Sequence, residues 1–317
     1  MVNRIIAGRI ELKASTNRSA SFLILITSLA SVLGFMTPAL AANPIKVMII
    51  SGQNNHDWKK STPLLAQILN SAGGIETTIC LAPPEKSPPE QWDKWRPDFG
   101  RFEVVLLDYN GEHWPNEVNK NFIDYVKGGG SVLLIHAANN SFGGWTDYEE
   151  MVGLLWRGSD FGYSLYVDEQ GKTVREEPGK GRGMGHGGQY PWVMTTRDHE
   201  NPITKDMPQN WFHAKDELYH GQRGPAKDVH ILLTAYSDPA PERNGTGKHE
   251  PIVFWVAYGK GKCLTNLMAH VGDITPLECV GFKTVLIRSV EWLATGKCRT
   301  SLPDNFPTKK VVVEAIQ

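Results

Sequence analysis

Short, nearly continuous apolar runs recur along the chain, separated by amphipathic or glycine-rich stretches. Ile45–Ser51 (IKVMIIS) reads as a buried first strand. Ser61-Thr62-Pro63 then opens a helix whose apolar face is Leu64, Leu65, Ile68 and Leu69. Ile75–Leu81 is a second strand and residues 102–108 a third. Residues 115–127 form a helix that stops at Gly128-Gly129-Gly130, and a fourth strand from Ser131 ends at His136. Strands apolar on both faces, alternating with helices, predict a parallel sheet covered on both sides. Residues 83–101, rich in proline and tryptophan, read as an ordered loop or short helix. The second half is less regular. Strands are expected at 190–195, 229–235, 252–258 and 263–268, with a closing helix over 276–294. The stretch 179–188 (GKGRGMGHGG) has neither dinucleotide nor P-loop spacing and reads as a mobile surface loop.

The 317 residues carry 33 Lys and Arg against 34 Asp and Glu, a formal charge of −1. Arg4, Arg9, Lys13 and Arg18 precede an apolar run over 20–36, and Ala39-Leu40-Ala41 offers the small residues a signal peptidase reads. That run is shorter than the roughly 20 apolar residues of a membrane span. Residues 1–41 are therefore expected to be a Sec-type signal peptide, twin arginines being absent. The mature domain, 42–317, would be periplasmic or extracellular, without membrane attachment after cleavage. A mildly acidic chain without a Lys/Arg stripe argues against nucleic acid as a partner. Cys80, Cys263, Cys279 and Cys298 include no CxxC pair. Cys279 and Cys298 flank the expected last helix, about 28 Å long, beyond the roughly 7 Å reach of a disulfide.

The chemistry is expected at the carboxyl edge of the sheet, where open α/β sheets hold ligands. His56-Asp57-Trp58 follow the first strand, His136 ends the fourth, and Ala269-His270 follow the last, so loops converging on one crevice would bring the three histidines together. Imidazole titrates near neutrality, which makes His136 or His270 the expected general acid or base. A satisfied core histidine is the other reading of His136, and a helix-capping loop residue that of His56. Asp216 and Glu217 point to opposite faces of an extended segment, so only one lines a pocket; Glu217, with Tyr219 on its side, is the expected one, and either carboxylate could orient a histidine or take a proton. His56, Asp57, Trp58, Asn139, Trp145 and Tyr219 are the expected substrate contacts. Ten tryptophans, among them Trp58, Trp114, Trp145, Trp156, Trp192 and Trp211 near strand ends or loops, suit a small carbohydrate with its apolar C–H faces and hydroxyl rim; ordinary packing is the alternative. His199, between Asp198 and a proline turn, reads as structural. Zinc is a possible cofactor. His213, Asp216 and His220 fit no specific metal spacing, and a metallohydrolase would instead use His56, His136 and His270 as ligands.

Six segments, in this order and spacing, resemble the trehalose-utilisation (ThuA-like) family of the class I glutamine amidotransferase-like superfamily, over roughly residues 45–296. They are Ser51-Gly52 with His56-Asp57-Trp58; Gly128-Gly129-Gly130 leading to His136-Ala137-Ala138; Asp198-His199 with Pro202-Ile203-Thr204; Asp216-Glu217-Leu218-Tyr219; Pro251-Ile252-Val253-Phe254-Trp255; and Gly259-Lys260-Gly261 leading to Ala269-His270. The resemblance implies a flavodoxin-like three-layer α/β sandwich with a mostly parallel central sheet. It also implies a lost amidotransferase nucleophile and a link to trehalose-type disaccharides or their 3-keto derivatives. The chain departs from the family at His199-Glu200-Asn201-Pro202, where His-Pro is usual, at Ala269-His270, where Gly-His is usual, and in the long segment 169–188. A sugar-active enzyme, a non-catalytic sugar-binding module and a metal-dependent hydrolase are the three functions expected. A glutamine amidotransferase is excluded, because the turn after the fourth strand carries no thiol to become its thiolate.

Overall fold

The computed structural model describes residues 43–308 apart from Asp273; the expected signal peptide lies outside them. Strand β1 (Ile45–Ser51) is apolar over Val47, Met48, Ile49 and Ile50 because both of its faces are covered there. Val47 and Ile49 enter one core cluster with Leu65 and Leu69 of helix α1 (Trp58–Ser71), while Met48 and Ile50 enter a second. Next come β2 (Ile75–Leu81), α2 (Pro89–Lys94), β3 (Val104–Leu107), α3 (Asn116–Gly128) and β4 (Ser131–Ile135). Strands β3 and β4 divide their side chains between the two clusters as β1 does, and α3 fills the second with Phe122 and Val126. Helix α4 (Thr146–Val152) and the hairpin β5 (Ser164–Val167) and β6 (Thr173–Glu176) follow. The chain is completed by β7 (Tyr190–Thr196), β8 (Asn210–Asp216), β9 (His230–Tyr236), β10 (His249–Tyr258), β11 (Gly261–Asn266), α5 (Thr275–Glu278) and α6 (Val280–Thr295). Among the described residues no helix is long and apolar enough to cross a membrane.

The strands form one sheet in the order β2-β1-β3-β4-β11-β10-β9-β7-β8, with β5 and β6 branching from β10. The expected mostly parallel sheet is corrected here: the sheet is mixed and mostly antiparallel. Only β2-β1-β3-β4-β11 run parallel. From β11 outward every pairing is antiparallel. The reason is the linkers. Tyr258 pairs with Gly261 across a two-residue turn in which Gly259 takes a φ of +60°. So short a link can join only antiparallel neighbours, whereas parallel ones need a crossover.

Three local expectations also change. Helix α1 starts ahead of Ser61, whose N–H is already taken by the Asp57 carbonyl, so the Ser61 and Thr62 hydroxyls turn inward to Asp108. The single closing helix is two, broken at Cys279, beyond which Gly281 lies on the Trp211 ring where a Cβ would come within 2.4 Å. The segment 179–188 is held rather than mobile. Fully buried Arg223 donates to the carbonyls of Glu177, Lys180 and Arg182, and Gly185 bridges to His220. Its glycines answer to space: a Cβ on Gly187 would lie 1.8 Å from the Arg243 carbonyl oxygen. All four cysteines are free thiols; Cys263 and Cys279 are buried, Cys80 and Cys298 only partly.

Candidate functional site

Strands β1, β4 and β11 end at the same edge of the parallel half, with β3 between β1 and β4, and the chain after each carries a histidine. His136 is the first residue after β4 and takes a φ of +45°, a left-handed conformation that costs a non-glycine residue strain and is found mostly at functional sites. Its turn is anchored by the Tyr148 hydroxyl donating to the Ala138 carbonyl and the Asn139 amide donating to Leu154. The imidazole Nδ1 lies 2.8 Å from the Leu267 carbonyl oxygen, so it must carry the proton. Nε2 is left as a buried lone pair without a hydrogen-bond partner among the described residues, 3.7 Å from Oε2 of Glu217.

His56 is set from the other side. Its main-chain N–H donates to Asn54 Oδ1 at 3.0 Å, and its Nδ1 lies 3.4 Å from the same oxygen. Because the main-chain donor fixes that atom as an acceptor, the ring also donates from Nδ1 and leaves Nε2 unprotonated. Asn54 is braced by Asp108, which also accepts from Ser61 and Thr62 and whose carboxyl burial pushes up. His270 has the opposite tautomer. Its Nδ1 accepts from the Gly272 N–H at 3.2 Å and faces the Gln189 side-chain amide at 2.9 Å, so the proton sits on Nε2, 3.3 Å from Glu217 Oε1.

The three rings pack edge to face, with centroids 4.9 Å apart for His56 and His136, 4.6 Å for His56 and His270, and 5.5 Å for His136 and His270. Tyr219 lies 4.2 Å from the His136 ring and meets Trp156 at 4.7 Å. Burial, helped by the neighbouring imidazoles of His136 and His270, pulls His56 down to about 3. Burial lowers His270 as well. For Glu217 burial works toward the neutral acid, but the nearness of His136, then of His270 and His186, outweighs it and holds the carboxyl below its usual range. The cluster at neutral pH is thus a carboxylate among imidazoles, one of them neutral well into acid.

The structure brings His56, His136, His270, Glu217 and Tyr219 together. Asp216 points away into the core. Its fully buried carboxylate accepts from His213 at 2.7 Å and from the N–H groups of Glu217, Ala269 and His270, so it positions the cluster rather than lining it. Asp57 is turned outward, paired with Lys60 at 2.9 Å. Trp58 lines a neighbouring cavity of 660 Å3 with Gln53, Asn54, Lys59, Leu81 and Glu85. Asn139 is spent on the Leu154 carbonyl, and Trp145 stacks on Tyr148 in the second core cluster. His213 is committed to Asp216 and His220 to Ser237, while His199 bonds Gln209 beside a turn that Asp198 caps. His186, 3.6 Å from Glu217, and Gln189 are the members that sequence reasoning missed. Their signal was present: a lone histidine and glutamine among glycines, in an insertion with too little side chain to pack otherwise.

The family described as trehalose utilisation, ThuA, matches residues 46–293. This chain belongs to the ThuA family. A crystal structure of a ThuA-like protein from Parabacteroides merdae is 38% identical to it, superposes with a TM-score of 0.81 and covers 86% of this chain and 98% of its own. A ThuA-like protein from Bacteroides uniformis, 17% identical with a TM-score of 0.56, covers 82% of this ThuA chain and 95% of its own and shares the fold. No curated protein matches the chain. Within this ThuA site, His56, His136 and Glu217 also place one ligand atom each within 4.8 Å of the others, close enough to hold a metal ion.

Proposed function

We propose that this ThuA protein binds a trehalose-type disaccharide or its 3-keto derivative at the carboxyl edge of the parallel half and acts on it by proton transfer. The observation that carries the reading is Glu217, an ionised, largely buried carboxylate between the Nε2–H of His270 and the open lone pair of His136. A carboxylate so placed takes a proton from a sugar hydroxyl or from a carbon next to a keto group, and the His270 N–H supports the charge that moves. Half-buried Trp156, set edge to face against buried Tyr219, offers a face for one sugar ring. The cavity lined by Asn54, the partner of His56, with Trp58 and the half-exposed Leu81 among polar groups, has room for the second. Export through residues 1–41 would place this activity in the periplasm or outside the cell, and fractionation of the expressing cells tests that placement.

Turnover of trehalose and of 3-keto-trehalose by the purified protein, alongside Glu217→Gln, tests the main reading. Loss of turnover with retained sugar binding in the variant supports it. Binding without turnover in the wild type would make the protein a sugar-binding module, and no binding of either sugar would overturn the carbohydrate reading. A second reading, metal-assisted chemistry, is favoured by one observation, the unpartnered nitrogen of His136.

A further inference from the structure

We infer that His56, His136 and Glu217 form a binding site for one borderline divalent metal ion, zinc above all. Two histidines and one carboxylate are a set that such ions favour, and they leave coordination positions for water and substrate oxygens.

Three features carry the assignment. The imidazole of His136 is 3% exposed, yet its Nε2 lone pair meets no donor, an unfavourable state for a buried polar atom unless something else binds it. The opposite nitrogen of each ligand histidine is tied down, His136 on the Leu267 carbonyl and His56 on Asn54, the arrangement that orients imidazoles toward a metal. Glu217 is divided in the same way. His270 holds Oε1, leaving Oε2 free at 3.7 Å from His136 Nε2. Bonds of about 2.0–2.2 Å set neighbouring ligand atoms roughly 3–4 Å apart, so this pair already has the spacing, and His56 offers a ligand atom within 4.8 Å of both.

His270 is not a ligand. Its Nδ1 receives the Gly272 N–H, so its Nε2 carries a proton and faces the carboxylate from behind. The ligand set expected from the sequence, three histidines, becomes two histidines and Glu217, with His270 as a positioning residue. An ion here would polarise a sugar carbonyl or hydroxyl and sharpen the acidity of bound water. That consequence rests on the carbohydrate reading; binding of the ion does not.

The test is zinc titration by calorimetry of the untagged full chain, stripped with chelator, with cobalt(II) absorption as a second readout and no sugar present. One equivalent should bind. His136→Ala and Glu217→Gln should each weaken it by more than about 100-fold, and His270→Gln by about 10-fold, the effect of a residue that orients a ligand. His56→Ala, at a half-buried position, carries the test if His136→Ala fails to fold. Absence of zinc binding, or equal affinity in correctly folded His56→Ala and Glu217→Gln, overturns the site. Sugar binding to the stripped chain is measured separately, so an ion without sugar, or sugar without an ion, separates this inference from the function proposed above.

Discussion

Gly272 directs its main-chain N–H at Nδ1 of His270, 3.2 Å away, while Leu267 directs a main-chain carbonyl at Nδ1 of His136. The backbone alone therefore gives two neighbouring histidines opposite tautomers, one presenting an N–H and the other a lone pair to the Glu217 side. Division of labour in the cluster follows from that pair of contacts.

Glu217→Gln keeps the shape of the side chain and removes its charge. Turnover of whichever sugar proves to be the substrate should fall by about 10²–10⁴-fold, the range for a positioned acid or base. The melting temperature should change little, because the carboxylate faces the cluster histidines His136, His186 and His270. Steady-state kinetics beside a thermal melt separates the two effects.

Asp216→Ala should act on stability instead. It leaves His213 buried without its 2.7 Å partner and orphans the N–H groups of Ala269 and His270. Removing one member of a buried pair costs about 3–5 kcal/mol. Urea denaturation should register a loss of that order. A loss near zero would mean that the carboxylate is not the anchor described.

Acid should destabilise the protein through its histidines. Burial holds His56 down to about 3 and His220 to about 4, both below the ordinary 6.5. As pH falls past 6.5, the unfolded chain takes up protons that the folded chain refuses, so stability drops from 6.5 toward 3 and is intact above 6.5. The urea midpoint should follow that slope, and His56→Ala should flatten it. Catalysis should show no pH limb from His56 above about 4.

Gly187→Ala probes the insertion. The added carbon would meet the Arg243 carbonyl oxygen at 1.8 Å, so the segment carrying His186 and Gln189 must lift. Limited proteolysis within 179–188 should speed up and the KM for sugar should rise, and urea denaturation should show a loss of about 1–3 kcal/mol as for an overpacked site.

Much of the parallel half could be read from the sequence. The bounds of β1 and β2 match the expectation residue for residue: β1 because its buried core is a continuous apolar run, the mostly exposed edge strand β2 because its Ile and Thr residues are β-branched. The same reasoning placed histidines at strand ends. Strand direction was harder. Gly259-Lys260 carried the hairpin signal, but a glycine pair around lysine is equally at home in a loop, and only the pairing of Tyr258 with Gly261 decides it. Strand β8 was hidden because Asn210–Asp216 mixes a tryptophan, a histidine and a lysine, and its burial comes from α5, α6 and the chain around Phe306 rather than from its own pattern. Tautomers were out of reach altogether. They depend on main-chain atoms up to 131 positions away in the chain.

The place of β11 in the sheet has a consequence during synthesis. It is the last strand made, yet it lies beside β4, which precedes it by more than a hundred residues. Until it arrives, the nascent chain holds β4 as an open edge, the kind of surface that recruits other unfinished chains. The Leu267 carbonyl that sets His136 comes with the same strand. The seam that closes the growing sheet and the contact that sets the His136 imidazole therefore form in a single late event, and a chain cut short of β11 is left with both an open edge and an unset ring.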